Sequence, residues 1–153
     1  MQAWRIFKTR YAAEAFKGEG ARLYGGRWNS VGVAMIYASG SLSLATLELL
    51  VHLDKTTVLS SYSTCMVEFD RSLVRSLDVK ELPPDWQESP SPHSIQQIGD
   101  EWISNASSLI LKVPSAVVPQ ENNYLINPAH KDFKKLKRGK IEALKFDSRL
   151  FVA

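Results

Sequence analysis

Residues 25–53 read GGRWNSVGVAMIYASGSLSLATLELLVHL and place two turns, a strand and a helix in one stretch. The glycine pair at 25 and 26, and the later Asn-Ser-Val-Gly segment, favour tight turns. Apolar residues predict a strand over 33–37, and apolar residues at helical spacing predict a helix over 42–53. Because the connection between them is short, the strand end and the helix start must lie close together, with Glu48 about two turns into the helix.

Similar patterns along the rest of the chain predict further strands and helices. The strands do not alternate with long helices in a βαβ rhythm, so the pattern favours an α+β fold with a mixed or antiparallel β core and flanking helices. Serines at 41 or 43 and at 94 are available as helix N-caps. The further strands are 4–7, 62–69, 109–113 and 143–151, and the further helices are 95–106 and 130–138.

The composition is that of one ordinary globular domain. The chain has 153 residues, of which 44% are hydrophobic and 23% charged. Four of the seven prolines lie in LPPDWQESPSPHS, residues 82–94, which therefore predicts a long surface loop. Neither flanking half is long enough for a comfortable core, so we expect a single domain over 1–153. No apolar run approaches the roughly 18 to 20 residues of a membrane helix, and the polar start argues against a secretory signal, so we expect a cytoplasmic protein without membrane contact.

Metal and nucleic-acid binding are both disfavoured. One cysteine, Cys65, excludes an intramolecular disulfide and a cysteine-rich zinc site, and the three histidines lack metal-ligand spacing. The net charge of +3 is local, because residues 131–140 carry six basic residues and one acidic. Without a broad positive face, we expect no direct contact with nucleic acid. The basic segment is either a solvated surface or part of a protein interface.

Three residues of the opening stretch have side chains suited to chemistry. Arg27, on a tight turn beside Trp28, is suited to grip a phosphate or stack beside a ring, although a hairpin with a surface arginine explains the pattern equally well. Tyr37 offers a ring for stacking, or is a half-buried strand aromatic. Glu48 lies on the same face of its predicted helix as the apolar residues. Its carboxylate therefore faces a cleft, pairs with a cation such as Arg27, or reaches water from the edge of the apolar stripe.

A later segment, VPSAVVPQENNYLINPAH at 113–130, predicts irregular and well-fixed backbone. Ser115 and Asn123 lie in this segment, where their side chains either reach a ligand or only stabilise turns. Ser115 lacks the context of a hydrolase nucleophile. The glycines at 18, 20, 25 and 26 match neither the dinucleotide fingerprint nor the common phosphate loop.

In combination these motifs resemble the RES-domain proteins, which are named for an arginine, a glutamate and a serine and are toxins of bacterial toxin–antitoxin pairs. The likeness covers most of the chain and rests on GGRWN, the following tyrosine, Leu-Glu in a helix, Pro-Ser and NYLINP. The resemblance implies a fold similar to ADP-ribosyltransferase toxins and degradation of NAD in the producing cell. By motif, the implied catalytic residues are Arg27, Tyr37 and Glu48. The implied substrate-binding residues are Arg27, Tyr37, Ser115 and Asn123.

The resemblance also implies a partner and a reaction. The partner is a cognate antitoxin, typically with a helix-turn-helix domain that binds DNA, and whether two toxin copies pair in that complex is left open. NAD is the substrate and no cofactor is needed. Glu48 is the candidate for stabilising the oxocarbenium-like state that forms as nicotinamide leaves. The acceptor of ADP-ribose is water, phosphate or a protein. A rival of another class is a nucleotide- or protein-binding module in which Arg27 and Glu48 form a structural ion pair.

Overall fold

The computed structural model describes residues 1–53 and 61–151, which form strands, α-helices and short 3-10 segments. The strands are β1 (Gln2–Lys8), β2 (Ile36–Ser39), β3 (Tyr62–Glu68), β4 (Val74–Ser76), β5 (Ile110–Pro114), β6 (Asn122–Ile126) and β7 (Lys137–Leu144). The α-helices are α1 (Glu19–Tyr24), α2 (Leu42–Leu50) and α3 (His93–Asn105). The 3-10 segments are Thr9–Glu14, Arg71–Leu73, Val79–Glu81, Phe133–Lys135 and Ser148–Phe151.

The strands of the described residues form one sheet in the order β4-β5-β6-β2-β1-β3-β7. The pair β4 and β5 is parallel, and the other neighbouring pairs are antiparallel. The sheet is therefore mixed, and the predicted α+β class is confirmed. No helix in the described part has the length and apolar character needed to cross a membrane.

The register of the central strands decides which side chains share a face of the sheet. Ser39 lies opposite both Trp4 of β1 and Asn123 of β6, and Asn123 lies opposite Val113 of β5. Because directly opposed residues project to the same side, these side chains share one face, together with Tyr37 two residues before Ser39. The candidate site residues Tyr37 and Asn123 are therefore on the same side of the sheet.

Each face of the sheet is covered by its own hydrophobic cluster. On the face opposite Tyr37, residues such as Phe7, Ile36 and Val67 pack with Phe16. On the face of Tyr37, α3 contributes Ile95 and Trp102 to a second cluster. The further members of that second cluster are Trp28, Met35, Trp86, Leu111, Val113 and Leu125.

The two longer helices have different starts. Ser41 caps α2, because its Oγ accepts a hydrogen bond of 3.1 Å from the Leu44 amide. The prediction of Ser94 as the cap of α3 is wrong, because the helix already begins at His93 with Pro92 at the N-cap position. On α2, Leu44 is buried while the large apolar side chains at 47 and 51 are exposed. The predicted apolar stripe of this helix is thus only partly covered.

Four predictions of secondary structure differ from the structure. The strand predicted over 33–37 begins too early, because β2 is Ile36–Ser39. The helix predicted over 130–138 is wrong, because only Phe133–Lys135 forms a 3-10 turn and β7 begins at Lys137. The strand predicted over 143–151 is displaced toward the C-terminus. The observed β7 begins at Lys137 and ends at Leu144, and a 3-10 segment follows at 148. The irregular backbone predicted for 113–130 contains β6, which pairs with β2 and β5. Tertiary pairing overrides the local signals at β6 and at the start of β7.

Candidate active site

The turn that carries Arg27 is held in place by backbone and side-chain contacts. Gly25 has a φ of +72°, which favours glycine. Gly26 is needed for a different reason, because a Cβ there would lie 2.7 Å from the Tyr37 hydroxyl oxygen and 2.8 Å from Asn29 Oδ1. The buried Asn29 side chain donates to the carbonyls of Ala21, Ser30 and Val33. The turn is therefore a fixed platform, and Asn29, which the sequence analysis did not single out, is its main polar anchor.

Tyr37 supports the same turn through its hydroxyl. The hydroxyl donates to Asn29 Oδ1 at 2.7 Å and accepts from the Trp28 amide at 3.0 Å. Burial raises the pKa of Tyr37 well above its usual value, so the phenol stays neutral. The Tyr37 carbonyl accepts a 2.9 Å hydrogen bond from Nη1 of Arg5. The hydroxyl of Tyr37 therefore supports the turn, with its hydrogen given to Asn29 and its oxygen to the Trp28 amide.

Arg27 links its turn to the proline-rich loop. Nη1 donates to the carbonyl oxygens of Trp86 and Glu88, each at 3.0 Å, and the Arg27 carbonyl accepts from Ser91 Oγ at 2.7 Å. On its other side the loop reaches the Ser115 segment, where Gln87 Nε2 donates to the Ala116 carbonyl at 3.3 Å. We call residues 86–91 the strap. It joins the Arg27 turn to the segment after Ser115.

The charge of Arg27 is preserved next to Glu48. Partial burial lowers the pKa of the guanidinium, and attraction to the Glu48 carboxylate opposes that change. An arginine keeps its charge at neutral pH under such conditions. Among the ion pairs of the described residues, none joins Arg27 to Glu48. The structural ion pair of the binding-module hypothesis is therefore absent from this part of the chain, and the attraction between the two groups acts without direct contact.

Glu48 is held by two of the predicted residues. Its Oε1 accepts from Ser115 Oγ at 2.7 Å and from Asn123 Nδ2 at 2.6 Å. The side chain is half-buried, and Oε2 accepts no hydrogen bond from the described residues. The two side chains thus fix one carboxylate oxygen, Oε1, and the other accepts from none of residues 1–53 and 61–151.

Ser115 is itself oriented by the backbone. Its buried hydroxyl oxygen accepts from the amides of Val117 at 3.1 Å and Val118 at 3.0 Å, so its one hydrogen points to Glu48. A hydroxyl that donates to a carboxylate and accepts two amides is a fixed support for that carboxylate.

The structure brings the five predicted site residues into two connected groups. Glu48, Ser115 and Asn123 form a hydrogen-bonded cluster at α2 and the sheet face. Arg27 and Tyr37 belong to the neighbouring turn, and Arg27 interacts electrostatically with Glu48. Asn123 has a further partner that the sequence analysis did not single out, since its Oδ1 accepts from Ser39 Oγ at 2.7 Å. The available signal was the position of Ser39, two residues after Tyr37 on one strand.

Two surface cavities are lined by residues outside this cluster, and the second includes Pro114 and Asn122, the chain neighbours of Ser115 and Asn123. One, of about 440 Å³, is bordered by Glu68, Asp70 and Lys135, and the other, of about 490 Å³, by Asp78 and Lys112. Neither is lined by Glu48 or its partners. Within residues 1–53 and 61–151, no group of three His, Cys, Asp or Glu side chains is arranged to hold a metal ion. Hydrogen-bond geometry, not cavity volume, therefore marks the candidate site.

Replacing Arg27 by alanine is expected to weaken ligand binding and to loosen the strap. The variant loses a cation beside Glu48 and both hydrogen bonds to the strap carbonyls. For NAD, the ligand that the sequence resemblance implies, we expect binding to weaken by at least about tenfold, which corresponds to about 1.4 kcal/mol, and we expect proteolysis within 86–91 to accelerate. Titration calorimetry and limited proteolysis measure the two effects. Arg22→Ala is the matched control, because Arg22 is exposed and pairs with Glu19 on α1. Unchanged affinity in Arg27→Ala would exclude the clamp role.

Comparison with known proteins identifies the class to which this fold and site belong. The RES domain family model matches residues 2–147. The protein named Toxin Res of Yersinia enterocolitica is 44% identical over 133 residues, which cover 87% of this chain and 88% of the relative. The Prs ADP-ribosylating toxin of Sphingobium is 37% identical over 152 residues, covering 96% of this chain and 94% of the relative. The chain therefore belongs to the RES-domain family.

A solved structure supports the same fold. The crystal structure of the MbcT-MbcA toxin–antitoxin complex of M. tuberculosis contains a chain that superposes with a TM-score of 0.77 at 18% identity. The match covers 94% of this chain and 83% of that chain. The described sheet and helices thus have the fold of a chain in a toxin–antitoxin complex.

Proposed function

We propose that this chain is the toxin of a toxin–antitoxin pair and that it breaks the bond between nicotinamide and ribose in NAD. The observation that carries the proposal is the geometry of Glu48. Ser115 and Asn123 hold one carboxylate oxygen, Oε1, at 2.7 and 2.6 Å, and no described residue binds the other. A fixed anion with a free oxygen is suited to a reaction that develops positive charge.

The chemistry of NAD explains why one carboxylate suffices. Nicotinamide carries a positive charge in NAD and departs as a neutral molecule, so its departure requires no general acid. Positive charge then develops on the ribose carbon and ring oxygen, as in glycoside hydrolysis. In this proposal Oε2 of Glu48 stabilises that charge. In the same proposal Oε2 also holds a ribose hydroxyl or orients the attacking water.

The other residues bind and position in this proposal. Arg27 uses Nη1 for the strap carbonyls, and no described residue accepts from its Nε or Nη2. Those donors are suited to the pyrophosphate of NAD. Tyr37 contributes its ring beside nicotinamide, because its hydroxyl is engaged with Asn29 and Trp28. Ser115 and Asn123 act on the substrate through Glu48.

A second candidate acceptor is a protein side chain. The relative named Prs ADP-ribosylating toxin, at 37% identity, favours this alternative to water. The experiment uses NAD labelled in its adenylate group, incubated with the purified chain alone, with inorganic phosphate, or with cell extract. We expect free labelled ADP-ribose from the chain alone. If the labelled ADP-ribose is found mainly attached to phosphate or to a protein, the reaction is transfer to that acceptor and not hydrolysis. If NAD remains intact in every sample, the chain is better explained as a binding module.

The proposed partner is an antitoxin that suppresses this activity. The support is the solved toxin–antitoxin complex with the same fold, and the helix-turn-helix domain of the partner stays a prediction. Because NAD turnover would harm the producing cell, we place the activity and its control in the cytoplasm. Co-expression with the cognate antitoxin is expected to restore growth, and light scattering of the purified complex measures its stoichiometry, including whether two toxin copies pair.

A further inference from the structure

Ser39 is a buried polar residue at the end of β2 that has no role in the activity described so far. It is 5% exposed and lies opposite Asn123 in the pairing of β2 with β6. Its Oγ donates to Asn123 Oδ1 at 2.7 Å. A buried hydroxyl with a defined acceptor is a directional contact, so Ser39 acts on the side chain that binds Glu48.

The hydrogen bond from Ser39 fixes the orientation of the Asn123 amide. An asparagine amide has one oxygen that accepts and one nitrogen that donates. Because Ser39 donates to Oδ1, Nδ2 is directed to Glu48 Oε1 at 2.6 Å. A rotated amide would place its oxygen against the carboxylate, where two acceptors repel. The contacts at the two ends of the amide are therefore consistent with one orientation.

Two series of hydrogen bonds reach the Glu48 carboxylate from opposite sides. On one side the Val117 and Val118 amides donate to Ser115, and Ser115 donates to Glu48. On the other side Ser39 reaches Glu48 through Asn123. Both chains end on Oε1. Removing Ser39 would leave Asn123 Oδ1 without this donor, and a buried acceptor without a donor favours rotation or displacement of the amide.

We propose that Ser39 is a positioning residue, which acts through Asn123 to hold Glu48 in the orientation that leaves Oε2 free. This inference rests on the proposed function, since it assigns a role within the same site. Ser39 contacts the end of the Asn123 amide that is directed away from Glu48, and in this proposal it does not itself bind substrate. Its loss should therefore slow the reaction without weakening NAD binding.

The first test is a double-mutant cycle on nicotinamide release. Ser39→Ala is expected to lower kcat by about tenfold with KM unchanged. Asn123→Ala lowers kcat by itself, and Ser39→Ala added to it is expected to have no further effect, because the two residues act as one unit. The matched control is Ser63→Ala. Ser63 is also a buried strand serine, at 3% exposure, with one side-chain partner, Thr9, and its loss should leave kcat unchanged. A rise in KM or additive effects of the two variants would overturn the proposal.

The second test does not depend on activity. The side-chain amide of Asn123 gives two signals in ¹H–¹⁵N spectra, assigned by their loss in Asn123→Ala. Ser39→Ala is expected to shift both signals and to accelerate their exchange with solvent, whereas Ser63→Ala should leave them in place. Unchanged signals in Ser39→Ala would overturn the positioning role. If the wild type releases no nicotinamide, the proposed function fails, and these spectra still decide whether Ser39 orients Asn123.

Discussion

Glu48→Gln is expected to lower the rate of nicotinamide release by about 10²- to 10³-fold, as expected for loss of a group that stabilises the transition state. Glutamine is nearly isosteric, and its amide oxygen accepts the hydrogen bonds of Ser115 and Asn123 that Oε1 accepts now. Its NH₂ group then occupies the position of Oε2. A neutral donor at that position does not stabilise positive charge on the ribose.

The expected loss of rate in Glu48→Gln can be checked against a matched control variant. Glutamate and glutamine have similar helix propensities, so α2 should remain folded and the thermal midpoint should change little. Glu101→Gln makes the same chemical change at an exposed position of α3 and should leave the rate unchanged. A Glu48→Gln protein that is folded and turns over NAD at the rate of the wild type would remove Glu48 from the mechanism.

Gly99→Ala is expected to destabilise the fold by at least about 3 kcal/mol, a severe case of overpacking. Gly99 is buried in α3, and an added Cβ would lie 1.7 Å from the Trp28 carbonyl oxygen and 2.8 Å from its carbon. Both atoms are backbone, so relief requires α3 to move away from the turn that carries Arg27. For a domain of this size we expect a fall in Tm of about 6 to 12 °C.

The control for Gly99→Ala is the same substitution where space is open. Gly20 lies in α1, and a Cβ there would have no neighbour within 4 Å. Alanine is favoured over glycine in a helix by about 1 kcal/mol, so Gly20→Ala should raise the thermal midpoint slightly. Differential scanning calorimetry compares the variants. A Gly99→Ala midpoint equal to that of the wild type would show that the contact between α3 and Trp28 is not close.

The parts of the fold with strong local signals could be predicted from the sequence. The helix over 42–53 and the helix over 95–106 were both present with small errors at their ends, because apolar periodicity and flanking turn residues coincide there. β6 was missed because NNYLI is preceded by turn-forming residues, and its strand is completed only by pairing with β2 and β5. The basic segment after residue 130 forms β7 because it pairs with β3.

The candidate site could be predicted only where its residues lie in sequence motifs. Glu48, Ser115 and Asn123 were named from motifs, and the structure places them in direct contact. The engagement of Arg27 with the strap was not predictable, since its partners are backbone carbonyls 59 and 61 residues away. Ser39 was missed because its only local signal is its position two residues after Tyr37 on one strand, and its partner Asn123 is 84 residues away.

The most direct test of the central claim is nicotinamide release from NAD by the purified, partner-free chain, followed by chromatography. Release of nicotinamide is common to hydrolysis, phosphorolysis and transfer to a protein, so the measurement tests bond cleavage before the acceptor is known. We expect nicotinamide from the wild type and a rate lower by about 10²-fold or more from Glu48→Gln. If NAD remains intact with the wild type, even with phosphate and cell extract present, the chain does not cleave this bond and the account is wrong.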